Sequence, residues 1–322
     1  MLGFKIAAGG EFMKKVRYLI CVVFIFCMFF VAQVLDDKEV IFPEILALAL
    51  GAWVSEKQPW KVDRVRMFVL MSISSLVGIL VVRYVNLPLI FKIAIGFCFA
   101  GFMLTLFRCT IVPMISACIL PMFIGTTSFI YPISVTTMSF VIVLVQFLIE
   151  RFGLKPETVV EKVEMDVKEE FFKWFKMLVL LMAVCVIPTA TKQLYFVVPP
   201  LIVAFVEFSN VKSKVRDNFK KIWIAIVCAG VFGAGCRIIL NAQLGMPLWF
   251  CGVCATVLLF VVFEVLKVGF PPACAIVLLP TILPVDNLYL YPFEVAIGSA
   301  VLITIAMKAF REVEAVEEIS EA

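Results

Sequence analysis

Four acids (Glu44, Glu207, Glu264 and Glu294) and three bases (Arg83, Lys92 and Arg237) stand within or at the ends of long apolar runs. An ionised group at membrane depth costs several kcal/mol unless it is paired or wetted, so each is a candidate for function. Glu264 has Lys267 one helical turn on, and a local ion pair accounts for it. Glu44 and Glu207 have no such neighbour and both fall on short apolar runs, which makes them the candidates for holding a coupling ion or a proton. Arg83 and Arg237 are each followed within four residues by an asparagine, Asn86 and Asn241, and Lys92 follows the first pair closely. Together these residues would form a cationic outer vestibule that gathers anions. The plainer role for such long cationic side chains is snorkelling to phospholipid headgroups.

Prolines add a second kind of chemistry, exposed backbone. Pro113 precedes Pro121 by eight residues, and Pro272, next to Pro271, precedes Pro280 by the same eight. Proline at a helix start is cheap because that N–H would be free anyway. A second proline two turns on breaks the ladder and leaves carbonyls that need a neighbouring helix, water or an ion. Pro113, Ser116, Pro271 and Pro272 therefore join Arg83, Lys92, Arg237 and Asn241 as candidate substrate-binding positions. Thr105 and Thr110 add hydroxyls, whose default partner is their own helix.

The absences are as informative. There is no histidine, which removes Ser-His and Cys-His catalysis, histidine metal sites and histidine proton relays. No nucleotide-binding loop and no acidic metal pair at helical spacing occurs, so no catalytic residue, metal or cofactor is expected and the chain reads as a non-enzyme. The eleven cysteines lie in apolar runs, where cysteine acts as a small hydrophobe. Cys251 and Cys254 form a CxxC inside WFCGVCATVLLF, without a second pair, and read as helix packing. The net charge of +4 is spread over many short loops and makes no nucleic-acid surface.

The elements that must position these residues follow from composition. Of 322 residues 63% are hydrophobic, 16% are charged and 32 are phenylalanine. Soluble domains run nearer 45–50% apolar and about 25% charged. The mean hydropathy is +1.10. A bilayer core about 30 Å thick needs about 20 apolar residues per helix. Apolar runs fall near 18–35, 42–54, 67–85, 88–107, 109–127 and 130–149, then 177–191, 194–209, 222–240, 247–266, 270–285 and 288–307. The expectation is an all-α integral membrane protein with about twelve transmembrane segments. With the N-terminus cytoplasmic, 23 of the 28 Lys and Arg fall on inside loops, which favours both termini inside. The bilayer is then its main partner, a small anion its substrate, and homo-oligomers are allowed.

The chain also repeats itself at a period of about 159 residues. Pro88-Leu89-Ile90-Phe91 returns as Pro247-Leu248-Trp249-Phe250, Tyr131-Pro132 as Tyr291-Pro292, Pro43 as Pro200 and Arg83 as Arg237. Six segments per copy is an even number, so both halves point the same way, an arrangement common among transporters. The expected organisation is a first six-helix repeat at 13–150, a charged linker at 151–175 forming a short amphipathic helix, a second repeat at 176–310 and an acidic tail at 311–322. Residues 1–12 differ in character from the rest, and Met13-Lys14-Lys15 reads as the start of a bacterial inner-membrane protein. The first run, 18–35, has no small-residue cleavage site and reads as a retained helix.

At Gly269-Phe270-Pro271-Pro272-Ala273-Cys274-Ala275-Ile276 the sequence resembles the HPP family of membrane proteins, named for a His-Pro-Pro motif that opens a late helix. Phe270 stands where that histidine would be, and the first half keeps only Pro113. Some members are associated with nitrite transport, so the resemblance implies a small-anion permease. The layout is also similar to fusaric-acid-resistance and aromatic-acid-exporter proteins, through Val198-Pro199-Pro200, the basic loop from Lys212 to Lys221 and Gly233-Ala234-Gly235-Cys236-Arg237. That second likeness implies an organic-acid exporter. A scaffold or sensor subunit without transport is the reading of a different class.

Overall fold

In the computed structural model the described residues are 2–160, 163 and 166–311, with side chains from residue 11 onward. The acidic tail beyond Arg311 lies outside them. All regular structure among the described residues is helical. Eight helices are long and apolar enough to cross a membrane. These are α1 (Leu2–Val34), α3 (Arg64–Tyr84), α4 (Leu89–Leu106), α6 (Ile130–Arg151), α7 (Val167–Thr191), α9 (Phe219–Gly235, prolonged by π-helical Cys236–Gln243), α10 (Leu248–Leu266) and α12 (Tyr291–Ala309). Four are short: α2 (Glu44–Ala49, prolonged by π-helical Leu50–Val54), α5 (Pro113–Ile124), α8 (Pro199–Ser209) and α11 (Pro271–Leu278, prolonged by 3-10 Leu279–Thr281).

Local chemistry sets these boundaries. Asp63 caps α3 by accepting from Arg66 N (2.9 Å), and Asp166 caps α7 by accepting from Lys168 N (2.8 Å). α5, α8 and α11 each carry proline in their first turn, where a missing N–H costs nothing. Gly125 ends α5 in the left-handed region at φ +74°, which glycine adopts without strain.

Hydrogen bonds between elements give each helix its direction. At one end Arg17 Nη1 donates to Trp53 O (3.4 Å), Lys155 Nζ donates to Ala52 O (2.7 Å) and Arg64 pairs with Glu150. At the far end Ser134 Oγ donates to Val40 O (2.7 Å) and Thr126 Oγ1 donates to Glu39. So α1 runs outward from the first end, α2 returns, and α3 runs outward until Arg83 lies 4.7 Å over the Phe129 ring. α4 returns to place Phe107 O against Arg66 Nη1 (3.1 Å), α5 leaves from Thr110 beside Lys61, and α6 returns to Glu150. The second six helices alternate in the same way. Tyr195 N bonds Glu294 at the far end (3.1 Å), while Arg216 reaches Phe208 O and Met307 O at the first end (both 3.1 Å).

The long helices surround the short ones. Every residue from Glu44 to Val54, from Pro113 to Phe123 and from Pro271 to Thr281 is buried. The long helices instead expose bulky apolar side chains on their outer faces, among them Phe102, Phe140, Val265 and Phe293. A face of this kind suits hydrocarbon and would drive aggregation in water. Across the middle the packing is reciprocal: α2 lies against α11 and α5 against α8, while α1 lies against α10 and α4 against α7.

Two expectations are corrected. Residues 167–175 are not a separate amphipathic helix; they form the first turns of α7, because Asp166 caps there and the apolar run continues unbroken behind. Glu264 does not pair with Lys267. It accepts from Lys14 Nζ (2.7 Å) and Tyr18 Oη (2.8 Å) on α1, since Lys267 turns into the left-handed region (φ 53°) as the residue after α10.

Candidate functional site

The centre is built around two broken helices. Pro121 has no N–H, so the carbonyl of Ala117, four residues earlier, loses its ladder partner. Tyr131 Oη, from the first turn of α6, donates to that carbonyl at 2.9 Å. Pro280 frees the carbonyl of Ile276 in the same way, and Tyr291 Oη, from the first turn of α12, donates to it at 2.8 Å. Both tyrosines are fully buried. Glycine permits the third side of each site. A Cβ on Gly78 of α3 would fall on the carbonyl of Cys118 and on the Pro121 ring, and a Cβ on Gly233 of α9 would fall on the carbonyl of Val277 and 3.1 Å from the Pro280 ring.

Glu44 opens α2 beside the first of these breaks. It is 1% exposed. Its Oε1 accepts from Ser116 Oγ on α5, and its Oε2 is buried with no hydrogen-bond partner. No lysine or arginine among the described residues forms an ion pair with it. Tyr131 and Tyr291 both lie within electrostatic reach of this carboxyl. The Tyr291 ring stands 5.3 Å from that of Tyr195, which together with Glu294, Lys192, Gln193 and Asn287 lines a cavity of about 440 Å³ at the far end. Phe123 and Ile124 of α5 complete its wall.

The remaining predicted residues are distributed more widely. Pro113, Pro271 and Pro272 sit buried in the first turns of α5 and α11, Pro113 within one turn of the Ser116 that bonds Glu44. Glu207 is half-buried near the end of α8, where Trp60 Nε1 donates to it at 3.2 Å. Glu44 and Glu207 thus lie toward opposite ends of the molecule. Arg83 is exposed over Phe129, the arrangement expected of a headgroup contact. Arg237 is only 7% exposed, beside Cys251, with its Nε unpartnered. Asn241 is spent on the turn after α9, donating to Met246 O at 2.6 Å. Lys92 is half-buried in the first turn of α4. Thr105 bonds its own helix at Gly101 O (2.8 Å).

Sequence reasoning missed three parts of this arrangement. Tyr131 and Tyr291 were legible as repeated Tyr-Pro pairs, but not as the partners of proline-freed carbonyls. Arg17 and Lys155 cap the last carbonyls of α2 at Trp53 and Ala52, cations at a helix C-terminus. Lys155 is 3% exposed, and burial together with the neighbouring Arg17 charge pushes its ammonium down to about 8. Nothing in the loop sequence signalled so buried a lysine.

No family model matches the chain, and no curated protein or solved structure matches it either.

Proposed function

We propose that the protein is a membrane transporter for a small anion, built from two like-oriented six-helix halves that cross a bacterial inner membrane twelve times with both termini cytoplasmic. The observation that carries this reading is the reciprocal packing of α2 on α11 and α5 on α8. Four short helices, three of them opened by proline, fill the centre of a ring of membrane-length helices, and those of each half contact those of the other. Transporters of repeated architecture hold their substrate where the repeats meet, on broken helices of this kind. The matched triads Gly78–Pro121–Tyr131 and Gly233–Pro280–Tyr291 support duplication of one unit.

The anionic substrate rests on Arg237, a buried guanidinium with an unpartnered Nε, on Lys192 in the far-end cavity, and on the HPP resemblance at Gly269–Ile276. Phe270, at the position of that family's histidine, is a core ring packed 6.0 Å from Phe208, so any anion is held here without imidazole. The test is flux of nitrite, nitrate, formate and aromatic carboxylates into vesicles holding pure protein. Selective flux of one small anion, reduced at least several-fold by Arg237→Gln at equal protein content, is expected. Flux of aromatic acids alone would make the protein an exporter of that class, and an unchanged Arg237→Gln rate would remove that residue from the path.

A further inference from the structure

Resting on the transporter reading, we propose that Glu44 is a single proton-carrying site, loaded from the far-end cavity past Tyr195 and Tyr291, whose proton accompanies the transported solute.

Full burial sets this carboxyl apart from the other acids: Glu39, which accepts from Thr126 and also has an unpartnered oxygen, and Glu207, which accepts from Trp60, are only half-buried. Glu150 is paired with Arg64, Glu264 with Lys14, and Glu294 accepts a backbone N–H. Glu44 has one hydroxyl and one empty oxygen in a site closed to solvent. Each element packed around it offers only uncharged or remote groups: Ser116 and Cys118 on α5, Tyr131 on α6, Cys274 on α11, Cys21 on α1, and Tyr291 on α12. Of the cations on those elements, Arg17 of α1 is engaged at Trp53, at the other end of α2, Lys14 of α1 pairs with Glu264, and Lys15, Arg151 of α6 and Lys308 of α12 stand at that same end of their helices. Burying a carboxylate with no cation is expensive, whereas a carboxylic acid carries no charge to desolvate. A metal cation would need several oxygen ligands, and here one carboxyl and one hydroxyl converge.

The second half supplies the internal control. At the repeat offsets of Pro43 to Pro200 and Pro113 to Pro272, Glu44 corresponds to Leu201 and Ser116 to Ala275, both fully buried or nearly so. The same scaffold is therefore filled by an apolar pair in one copy, and the fold has no need of a carboxyl at that place. Retaining one in the other copy points to use, and to one proton per chain.

The step is simple in its balance. A proton enters from water at the far-end cavity, binds the Glu44 carboxylate to give the neutral acid, and leaves to water on the opposite side. No bond other than O–H forms or breaks.

Labelling with a hydrophobic carbodiimide, which adds to protonated carboxyls in apolar surroundings, tests the site without presuming any substrate. Glu44 should be modified at low pH and spared at high pH, with no label there in Glu44→Gln. Absence of label at Glu44 at every pH, or protection by sodium at fixed pH, overturns the proton assignment even if vesicles transport an anion. In flux assays Glu44→Gln, which keeps the shape and the Ser116 contact, should lose accumulation driven by a proton gradient at equal folded protein in the membrane. Undiminished proton-driven accumulation in Glu44→Gln overturns the proposal. If Glu44→Gln fails to assemble, Ser116→Ala serves instead and should shift the pH midpoint of both labelling and flux, and an unmoved midpoint counts against it. Labelling as expected with no flux of any solute would instead defeat the transporter reading and leave the proton site standing.

Discussion

At the scale of single residues, the two prolines inside the short helices and the two tyrosines opposite them form the clearest cause and effect in the molecule. Each proline removes one N–H and each tyrosine hydroxyl replaces it, at 2.9 Å for Ala117 O and 2.8 Å for Ile276 O. Leaving a buried carbonyl unpaired costs about 1–3 kcal/mol. Tyr131→Phe and Tyr291→Phe should each lower stability in detergent by about that much. Pro121→Ala restores an N–H to the ladder, so Tyr131→Phe should cost less in that background, a coupling that a double-mutant cycle reads directly. Additive effects would show that the hydroxyl is not the replacement. Lys155 gives a pH signature. Its ammonium titrates near 8 in the fold against 10.5 for an ordinary lysine, so between these values the unfolded chain binds more protons and stability rises with pH. The cost is fully present below 8 and is relieved toward 10.5, by an amount on the order of 3 kcal/mol. Thermal unfolding followed from pH 7.5 to about 10 should show this rise in the wild type relative to Lys155→Met; parallel curves would contradict it.

Helix-scale contacts depend on backbone meeting backbone. α3 reaches α5 at Gly78, and α9 reaches α11 at Gly233, in both cases against a carbonyl that cannot swing aside. Gly78→Ala and Gly233→Ala should therefore each destabilise by about 1–3 kcal/mol. Gly235, two residues from Gly233, has nothing within 4 Å of an added Cβ, and Gly235→Ala should be neutral or stabilising by up to about 1 kcal/mol. Melting of the three variants in one detergent checks the contrast, and equal losses would sink it. At this scale the sequence was also most readable. Twelve apolar runs were expected to span, and among the described residues eight hold membrane-length helices while those at 42–54, 109–127, 194–209 and 270–285 hold short ones; run length alone did not separate the two, since 109–127 is longer than 177–191. Helix ends were less legible where tertiary contacts decided them. The π-helical continuation through Arg237 to Gln243 carried α9 past the expected end at 240, and α7 absorbed the charged stretch from Val167.

For the whole molecule, helices from early and late in the chain interlock, α2 against α11 and α5 against α8, and Glu44, the tyrosine pair and the far-end cavity lie among them. Legibility falls off here for a physical reason. Spacing within one helix predicts which residues share a face, but the pairing of Glu44 with Ser116 joins residues 72 apart, and that of Trp60 with Glu207 joins residues 147 apart. Arg83 and Arg237, matched by sequence spacing, differ in setting, one exposed over Phe129 and one buried on the π-helical stretch with an unpartnered Nε. The most direct test of a solute path between the halves is anion flux into vesicles containing only this protein, with and without an imposed proton gradient. Protein-dependent entry of one small anion, with accumulation above equilibrium when the gradient is present, is the expected result. Vesicles as impermeable to every anion as protein-free ones, despite folded protein in the membrane, would contradict it.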